Sequence, residues 1–199
     1  MSENTSQVLA RTLSKSGVHD MWEADYRTRE NEAFYNTVFD DLAPALSVDP
    51  SRPVLDAGCG TGFHSARLIQ RGFHVLGVDF SETVLRVARD AFRRKQLDER
   101  IHLQRASLLA LPFQDESIDA ALCWGVLMHV PDLEGALDEL ARVTRPGGVL
   151  MVSEANMRSL QSTLLRILKR LLHLERATVR NTPAGLEYWT ETDQGRLLT

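Results

Sequence analysis

Cysteine is scarce in this sequence. Cys59 and Cys123 are the two cysteines among 199 residues, and two are too few for a disulfide framework. They follow no metal-ligand spacing, so we expect no metal site. Small buried thiols are common in protein cores. Both cysteines are therefore predicted to be buried packing residues rather than metal ligands or nucleophiles.

Excess positive charge and long apolar runs are also lacking. The formal net charge is −4 at pH 7, which argues against nonspecific nucleic-acid binding, and no apolar run is long enough to span a bilayer. The polar residues 1–17 have no basic segment followed by an apolar core, so they do not resemble a secretory signal. We predict a cytoplasmic, single-domain protein in which residues 1–17 form a disordered leader.

What the sequence does contain is an alternation of strand-like and helix-like segments. After a predicted N-terminal cap helix within 18–46, apolar strands alternate with amphipathic helices through residues 47–156. Strands that are apolar on both faces and separated by helices indicate a parallel sheet covered on both sides. Residues 157–199 are predicted to form an amphipathic helix and an irregular tail. The predicted fold class is α/β, with a doubly wound, mostly parallel sheet.

The segment VLDAGCGTGFH, residues 54–64, places three glycines at alternate positions directly after the first strand. Gly58, Gly60 and Gly62 let a ligand approach the backbone where a Cβ would collide. Asp79 ends the next strand and can accept hydrogen bonds from two ribose hydroxyls. In a doubly wound sheet, ligands bind beyond the carboxyl ends of the strands, where strand order reverses. The loop and the acid together predict a nucleoside pocket.

Residues around this loop discriminate between two kinds of nucleoside ligand. A dinucleotide fingerprint requires glycine or alanine three positions after its second glycine, and this sequence has Phe63 there. Asp56 precedes the loop, and a negative side chain suits a cationic ligand better than a pyrophosphate. S-adenosylmethionine, which carries an ammonium and a sulfonium, is such a ligand. An NAD(P)-dependent oxidoreductase is the less favoured alternative.

Four motifs carry a resemblance to a known family. Residues Pro53–Glu154 contain, in order, VLDAGCGTG, HVLGVDFS, ALPFQDESIDAALCWGVLMHVPD and ALDELARVTRPGGVLMVSE. These resemble successive motifs of the class I S-adenosylmethionine-dependent methyltransferases, in the type 11 branch that includes ubiquinone and menaquinone biosynthesis enzymes. The resemblance implies a Rossmann-like sheet of strand order 3-2-1-4-5. It also implies methyl transfer from S-adenosylmethionine to a small-molecule acceptor.

The resemblance assigns roles to residues that match the family's motifs. It implies that the glycine loop holds the amino acid end of the cofactor, which Asp56 orients. Asp79 is implied to hold the ribose hydroxyls, with Phe80 beside the adenine. The predicted cofactor-binding residues are Asp56, Gly58, Cys59, Gly60, Thr61, Gly62, Asp79, Phe80, Ser107, Leu108 and Trp124.

Three of these positions need separate comment. Ser107 stands where the family usually has an aspartate that accepts a hydrogen bond from the adenine amino group, and serine is a weaker acceptor. Leu108 is implied to contribute through its backbone, and Trp124 to flank the route of the methyl group. Two alternatives stay open, because Asp79 also suits a helix N-terminus and Trp124 also suits a protein core.

One of the histidines near the predicted pocket is a candidate for proton transfer. His129 follows the fourth predicted strand, near the expected reacting centre, and an imidazole with an ordinary pKa of about 6.5 suits a base for a hydroxyl acceptor. A structural role for His129 stays open, and an amine or an acidic carbon could dispense with the base. His64 is interpreted as a surface or capping residue. His129 is therefore the candidate catalytic residue.

The sequence departs from the family after the fifth strand. Family members normally add a helix and two more strands, so we expect this strand pair to be absent or incomplete. The chain is then a fragment or a shortened member, and a homodimer is one way to cover the sheet edge. The helix near 157–174 is predicted to pack on the sheet with its basic face solvated; a membrane-surface or partner helix is the alternative. A noncatalytic cofactor-binding or scaffold subunit is the alternative to an enzyme.

Overall fold

The computed structural model describes residues 11–15, 17–19, 21, 28–46, 49, 51–154, 156, 158–172, 177–182 and 185–198. In chain order its longer elements are α1 (Arg29–Leu46), β1 (Val54–Ala57), α2 (Phe63–Gln70), β2 (Val75–Asp79), α3 (Glu82–Arg94), β3 (Ile101–Arg105), β4 (Ile118–Trp124), α4 (Leu133–Val143), β5 (Thr144–Ser153), α5 (Leu160–Leu171), β6 (Ala177–Thr182), β7 (Gly185–Thr192) and β8 (Gly195–Leu198). Single 3-10 turns lie at Asp98–Arg100 and Leu127–His129.

Five parallel strands form the central sheet in the order β3-β2-β1-β4-β5. Apolar side chains cover both faces: Leu68 of α2 and Phe92 of α3 belong to one buried cluster, and Leu140 of α4 belongs to the other. A strand buried on both faces carries apolar residues at successive positions, as β4 does, because alternation with polar residues would expose one face. The predicted fold class and strand order are confirmed.

β1 lies at the point where the order of the strands reverses. It pairs with β2 on one side, with Leu55 opposite Leu76, and with β4 on the other. The connections from β1 to β2 and from β4 to β5 therefore diverge above its carboxyl end, which opens a crevice there. The glycine loop follows β1 directly and lies at this crevice.

The C-terminal residues form an antiparallel sheet of order β6-β7-β8. The prediction of an irregular tail is therefore wrong. The β-branched and aromatic residues of the tail, such as Val179, Tyr188 and Trp189, favour strands, and a two-residue turn after Thr192 joins β7 to β8. These strands form a sheet of their own, so the part of the chain that the structure describes does not extend the five-stranded sheet with a further strand pair.

The N-terminal segment is ordered where the structure describes it. Thr12, Leu13 and Val18 are buried, and Leu13 and Val18 pack with Trp189 and Leu197 in a third apolar cluster. The prediction of a disordered leader is wrong for residues 11–15 and 17, because these apolar side chains find a partner surface on the C-terminal sheet. Residues 1–10 and 16 lie outside the described residues.

Two helices differ from their predicted bounds or packing. Within the predicted cap helix 18–46, the helix α1 covers 29–46, and residues 22–27 lie outside the described residues. α5 was predicted to pack its apolar side on the sheet, but Leu160, Leu164 and Leu168 are half exposed or more. In the described residues, every helix is too short or too polar to cross a membrane.

Candidate functional site

A cavity of about 700 Å³ lies at the carboxyl ends of the central strands. Val78 and Asp79 of β2, Trp124 of β4 and Ser153 of β5 line it. The volume falls within the range of about 300–1,000 Å³ that is typical of small-molecule sites. Its position matches the crevice where doubly wound sheets bind ligands.

The glycine loop forms one wall of this cavity. The amides of Gly58 and Cys59 donate hydrogen bonds to the carbonyl of Val78, at 2.8 and 2.9 Å, which ties the loop to the end of β2. A Cβ on Gly58 would collide with the side chain of Val126, and one on Gly62 would collide with the ring of Phe92. These two glycines are therefore required for close packing.

Gly60 has a different role from its two neighbours. Its φ of +55° lies in the left-handed region, and a Cβ there would meet no described atom nearer than His19 Nδ1, at 4.0 Å. Gly60 lines the cavity with Cys59 and Thr61. A side chain at this position would extend into open space, so its absence leaves the backbone bare for a ligand.

Asp79 lies at the cavity wall where the sequence predicted it. Its Oδ2 accepts a hydrogen bond from the amide of Gly60, at 3.0 Å, and its Oδ1 accepts one from the amide of Ser81, at 2.9 Å. Burial raises the pKa of this carboxyl above its ordinary value, while these two amides oppose the rise. Each carboxylate oxygen has a second lone pair for a ligand hydroxyl. Asp79 therefore lines the cavity and also binds the backbone of the glycine loop.

Asp56 does not lie where the sequence predicted it. It is buried and is not one of the residues that line the cavity. Its Oδ2 accepts a hydrogen bond from the hydroxyl of Ser65 on α2. Burial raises the pKa of Asp56 to about 6. The side chain of Asp56 points toward α2 rather than into the cavity, so its contact with a ligand's amino group stays a prediction. Gly62 likewise lies outside the lining.

The residues predicted to lie beside the adenine are close together on the cavity. Phe80, Ser107 and Leu108 all line the cavity. Ser107 Oγ accepts a hydrogen bond from the amide of Leu109, at 3.1 Å, and its hydroxyl proton can still be donated. Cys59 also lines the cavity, and burial raises the pKa of its thiol and that of Cys123. Both cysteines are buried, as predicted.

Aromatic side chains form another part of the cavity wall. Trp124 was predicted there, and Phe34 and Tyr35 of α1 and Phe63 and His64 of α2 join it. The rings of Tyr35 and Phe63 meet edge to face at 5.5 Å, and those of His64 and Trp124 lie 5.3 Å apart. The sequence predicted that Phe34, Tyr35, Phe63 and His64 lie on helices, but it did not predict that α1 packs against α2.

His64 is part of this wall rather than a surface or capping residue. Its ring stacks on Phe39 at 5.3 Å, and its Nδ1 is buried without a hydrogen-bond partner in the described residues. Burial, with a smaller contribution from the charge of Arg67, lowers the pKa of His64 to about 3. The ring is therefore neutral at physiological pH.

His129 lies on the cavity, as predicted. Its Nδ1 donates a hydrogen bond to the carbonyl of Leu198 in β8, so in the neutral ring Nε2 carries the lone pair. Burial lowers the pKa of His129 to about 4, although the bond to Leu198 opposes this. The imidazole is therefore neutral and oriented by the C-terminal sheet.

Glu154 is a site residue that the sequence reasoning missed. It lines the cavity after β5, and its Oε1 accepts hydrogen bonds from the amides of Val126, at 3.0 Å, and Leu127, at 2.7 Å. Its Oε2 accepts one from Met128 at 3.3 Å. The carboxylate thus holds the turn that carries His129. The signal was available, because Glu154 ends the last family-like motif.

Comparisons with known proteins agree with this geometry. Residues 55–152 match a family model described as a methyltransferase domain. The chain is 36% identical over 120 residues to methyltransferase GfsG of Streptomyces halstedii, covering 60% of this chain and 43% of that protein. It is 34% identical over 149 residues to demethylmenaquinone methyltransferase of Tropheryma whipplei, strain Twist, covering 74% of this chain and 61% of that protein. The chain thus spans about half the length of these curated relatives.

A solved structure extends the likeness in fold to almost the whole chain. It is described as a putative S-adenosyl-L-methionine-dependent methyltransferase of Methanococcus maripaludis. The TM-score is 0.62 at 18% identity, and the match covers 96% of this chain and 95% of that one. At this identity the likeness concerns the fold alone.

Proposed function

We propose that this chain, which belongs to the type 11 branch of the class I S-adenosylmethionine-dependent methyltransferases, transfers a methyl group to a small-molecule acceptor. The observation that carries the proposal is the pairing of Gly60 with Asp79. A bare backbone in the left-handed region faces the cavity, and the carboxylate that accepts its amide lies on the same wall. This arrangement supports the binding of a nucleoside with an amino acid end.

The residues at this wall fit S-adenosylmethionine. The loop Gly58–Thr61 would hold the amino acid end, Asp79 the ribose hydroxyls, and Phe80, Ser107 and Leu108 the adenine. A dinucleotide fits less well, since its pyrophosphate requires the N-terminus of the helix that follows β1, which here is α2. That helix begins at Phe63, whose ring lines the cavity and lies 3.9 Å from the guanidinium carbon of Arg67.

The aromatic wall supports an acceptor with an apolar body. S-adenosylmethionine supplies a methyl group that a positive sulfonium activates. The chain's own contribution is to align the acceptor and exclude water, and positioning of this kind can supply up to ~7–11 kcal/mol. Phe34, Tyr35, Phe63 and Trp124 offer the rings for this packing.

His129 supplies the base where the acceptor atom carries a proton, as a hydroxyl does. Nδ1 is occupied by the carbonyl of Leu198, so the proton is taken at Nε2. Glu154 keeps the turn in place through the amides of residues 126–128. An acceptor that loses no proton before transfer would not depend on His129.

We further propose a cytoplasmic location. We also propose that nucleic acid is not a substrate, in keeping with the net charge of −4. A homodimer is also proposed, with β5 at the edge of the central sheet as the surface that pairs. Sedimentation velocity tests this, because a monomer at every concentration would contradict it.

The test of the function is calorimetry with S-adenosylhomocysteine followed by transfer of radiolabelled methyl groups to a panel of apolar acceptors. Wild type should bind, and Gly60→Val should not. Gly72→Val is the matched control: Gly72 also has a positive φ, of +91°, with open space around it, but it lies outside the cavity lining. It carries the same kind of backbone strain and should still bind. Equal binding by Gly60→Val and wild type would refute the pocket.

Transfer itself separates the enzyme from a noncatalytic subunit. Binding of S-adenosylhomocysteine without methyl transfer to any acceptor would favour the cofactor-binding or scaffold alternative. Binding of NADH in place of S-adenosylhomocysteine would favour an oxidoreductase.

A further inference from the structure

Helix α5 turns its apolar side outward. Seven aliphatic side chains along and just after the helix are about half exposed or more, from 48% at Leu165 to 75% at Leu160. They are Leu160, Leu164, Leu165, Ile167, Leu168, Leu171 and Leu172. Their spacing places them on one broad face of the helix. A contiguous apolar patch of this kind on a protein surface marks a site of interaction.

The polar side of α5 faces the rest of the protein. Ser162, Thr163 and Arg166 are only partly exposed. The guanidinium of Arg166 lies 6.0 Å from the centre of the Tyr188 ring in β7, and it donates a hydrogen bond to the hydroxyl of Thr163 at 3.3 Å. A helix that covered the core would have the opposite orientation. The apolar face is therefore presented to something outside the described chain.

The charges on and beside α5 have one sign. Residues 158–172 contain no aspartate or glutamate, whereas Arg158, Arg166, Lys169 and Arg170 are cationic. The chain as a whole has a net charge of −4. Positive charge is thus concentrated on the segment that carries the apolar face, against the overall balance. A partner for this face needs an apolar interior and an anionic rim.

We propose that α5 lies in the surface of an anionic lipid bilayer, with its leucines among the acyl chains and its cations at the headgroups. Twelve residues of helix extend about 18 Å, which is too short to span the hydrocarbon core. A second copy of the chain fits less well. In a two-fold interface α5 would meet α5, which brings like charges together.

This proposal does not depend on methyl transfer, so each can fail without the other. Flotation with vesicles of phosphatidylcholine alone, or of phosphatidylcholine with phosphatidylglycerol, tests it. Wild type should float with the anionic vesicles, and added salt should weaken this binding. Leu164→Gln/Leu168→Gln should reduce binding by about tenfold or more. Arg158→Gln/Lys169→Gln should reduce it by roughly fivefold per charge on the anionic vesicles.

The matched control replaces aliphatic side chains that are exposed elsewhere. Val87 of α3 and Leu137 of α4 are 38% and 37% exposed, so Val87→Gln/Leu137→Gln should bind vesicles as wild type does. Every variant should bind S-adenosylhomocysteine equally, which checks folding. No flotation of wild type would overturn the proposal. So would a dimer in lipid-free solution that Leu164→Gln/Leu168→Gln dissociates, because a second copy would then cover the face.

Discussion

The two ends of the cavity are built from different parts of the chain. At the proposed cofactor end, the backbone of the glycine loop is bonded to the carboxylate of Asp79, and Phe80, Ser107 and Leu108 complete the wall. At the acceptor end, the rings of Phe34, Phe63 and Trp124 come from α1, α2 and β4. A backbone wall cannot repack when a side chain changes, whereas a wall of side chains can. The first end is therefore suited to an invariant ligand and the second to a variable one.

This difference predicts two separable classes of variants. Changes at the cofactor end should alter binding of S-adenosylhomocysteine, and changes at the acceptor end should alter transfer while that binding is kept. A variant that moved both quantities together would break the comparison, since it would mean that the two walls act as one unit.

The largest effect is expected for His129→Gln. With a hydroxyl acceptor, loss of the base should lower kcat by about 10²-fold, the low end of the range for general bases, because a pKa of about 4 makes the imidazole a weak base. The affinity for S-adenosylhomocysteine should stay within about threefold, since its binding residues are unchanged. Glutamine keeps a hydrogen-bond donor for the carbonyl of Leu198. Single-turnover transfer and calorimetry on the same preparations measure both quantities. Full turnover by His129→Gln would remove the proposed role.

The pH dependence of the wild-type rate gives an independent check on His129. Burial holds the pKa of His129 at about 4, so the imidazole is already neutral well below pH 6. A neutral base is the active form, hence the rate with a hydroxyl acceptor should be flat from pH 6 to pH 8 as far as His129 is concerned. It should fall only as the pH approaches 4. A break near the ordinary histidine pKa of about 6.5 would contradict the burial of this ring.

The next largest effect is expected for Asp79→Asn at the cofactor end. The affinity for S-adenosylhomocysteine should fall by roughly 10- to 100-fold, because hydrogen bonds to a charged group contribute about 1.5–3 kcal/mol. The carboxylate also holds the amide of Gly60, so a weaker affinity alone does not identify a ribose contact.

A ligand without ribose hydroxyls separates these two roles of Asp79. Wild type should bind the 2′,3′-dideoxy analogue of S-adenosylhomocysteine more weakly than the parent compound. Asp79→Asn should bind the two compounds with nearly equal affinity. If the variant lost as much as wild type when the hydroxyls are removed, Asp79 would act only through the loop.

A smaller effect is expected for Phe34→Ala at the acceptor end. Phe34 lines the cavity and is 58% exposed, so its removal should leave the free energy of unfolding nearly unchanged. An acceptor that packs on the ring should lose about tenfold in kcat/KM, the lower part of the range for burying an aromatic side chain. Val87→Ala, exposed on α3 and outside the cavity lining, is the control. Unchanged kcat/KM in both variants would place the acceptor elsewhere.

The sequence predicted the cofactor end better than the acceptor end for a physical reason. The loop after β1 and Asp79 after β2 are adjacent because parallel strands end at the same edge, so local patterns are enough to bring them together. The aromatic wall depends on how α1 packs on α2, where Tyr35 meets Phe63 and His64. A helical pattern indicates which face is apolar but not which helix it will meet.

Errors in the prediction also follow from packing that a local pattern does not contain. The resemblance assigned Asp56 to the amino acid end of the ligand, and no local pattern indicated that its side chain would bond to Ser65 on α2. Leu13 was read as part of a polar leader, yet it is buried in one cluster with Val18 and Trp189. The sequences of the C-terminal strands alternate only weakly between apolar and polar residues, so the strands are evident only from their pairing with one another.

The smallest effect on the cavity is expected for Asp56→Asn, which should bind S-adenosylhomocysteine nearly as wild type does, because Asp56 lies outside the lining. Its effect should appear in stability. Burial raises the pKa of Asp56 from 3.8 to about 6, so between these values the folded protein holds more protons than the unfolded chain. Stability therefore falls as the pH rises through this window. Asparagine cannot ionise and removes this loss.

Urea denaturation at pH 4 and at pH 7.5 measures the difference between Asp56→Asn and wild type. The free energy of unfolding of Asp56→Asn relative to wild type should be about 2 kcal/mol higher at pH 7.5 than at pH 4, given 1.36 kcal/mol for each pKa unit. Groups that titrate in both proteins, such as His64 and His129, cancel in this difference. Ser65→Ala is the opposing control: it removes the hydroxyl that donates to the carboxylate, so it should lose more stability at pH 7.5, where Asp56 is ionised, than at pH 4. A pH-independent difference for Asp56→Asn would mean that this carboxyl titrates near its ordinary pKa. That result would contradict the burial of Asp56.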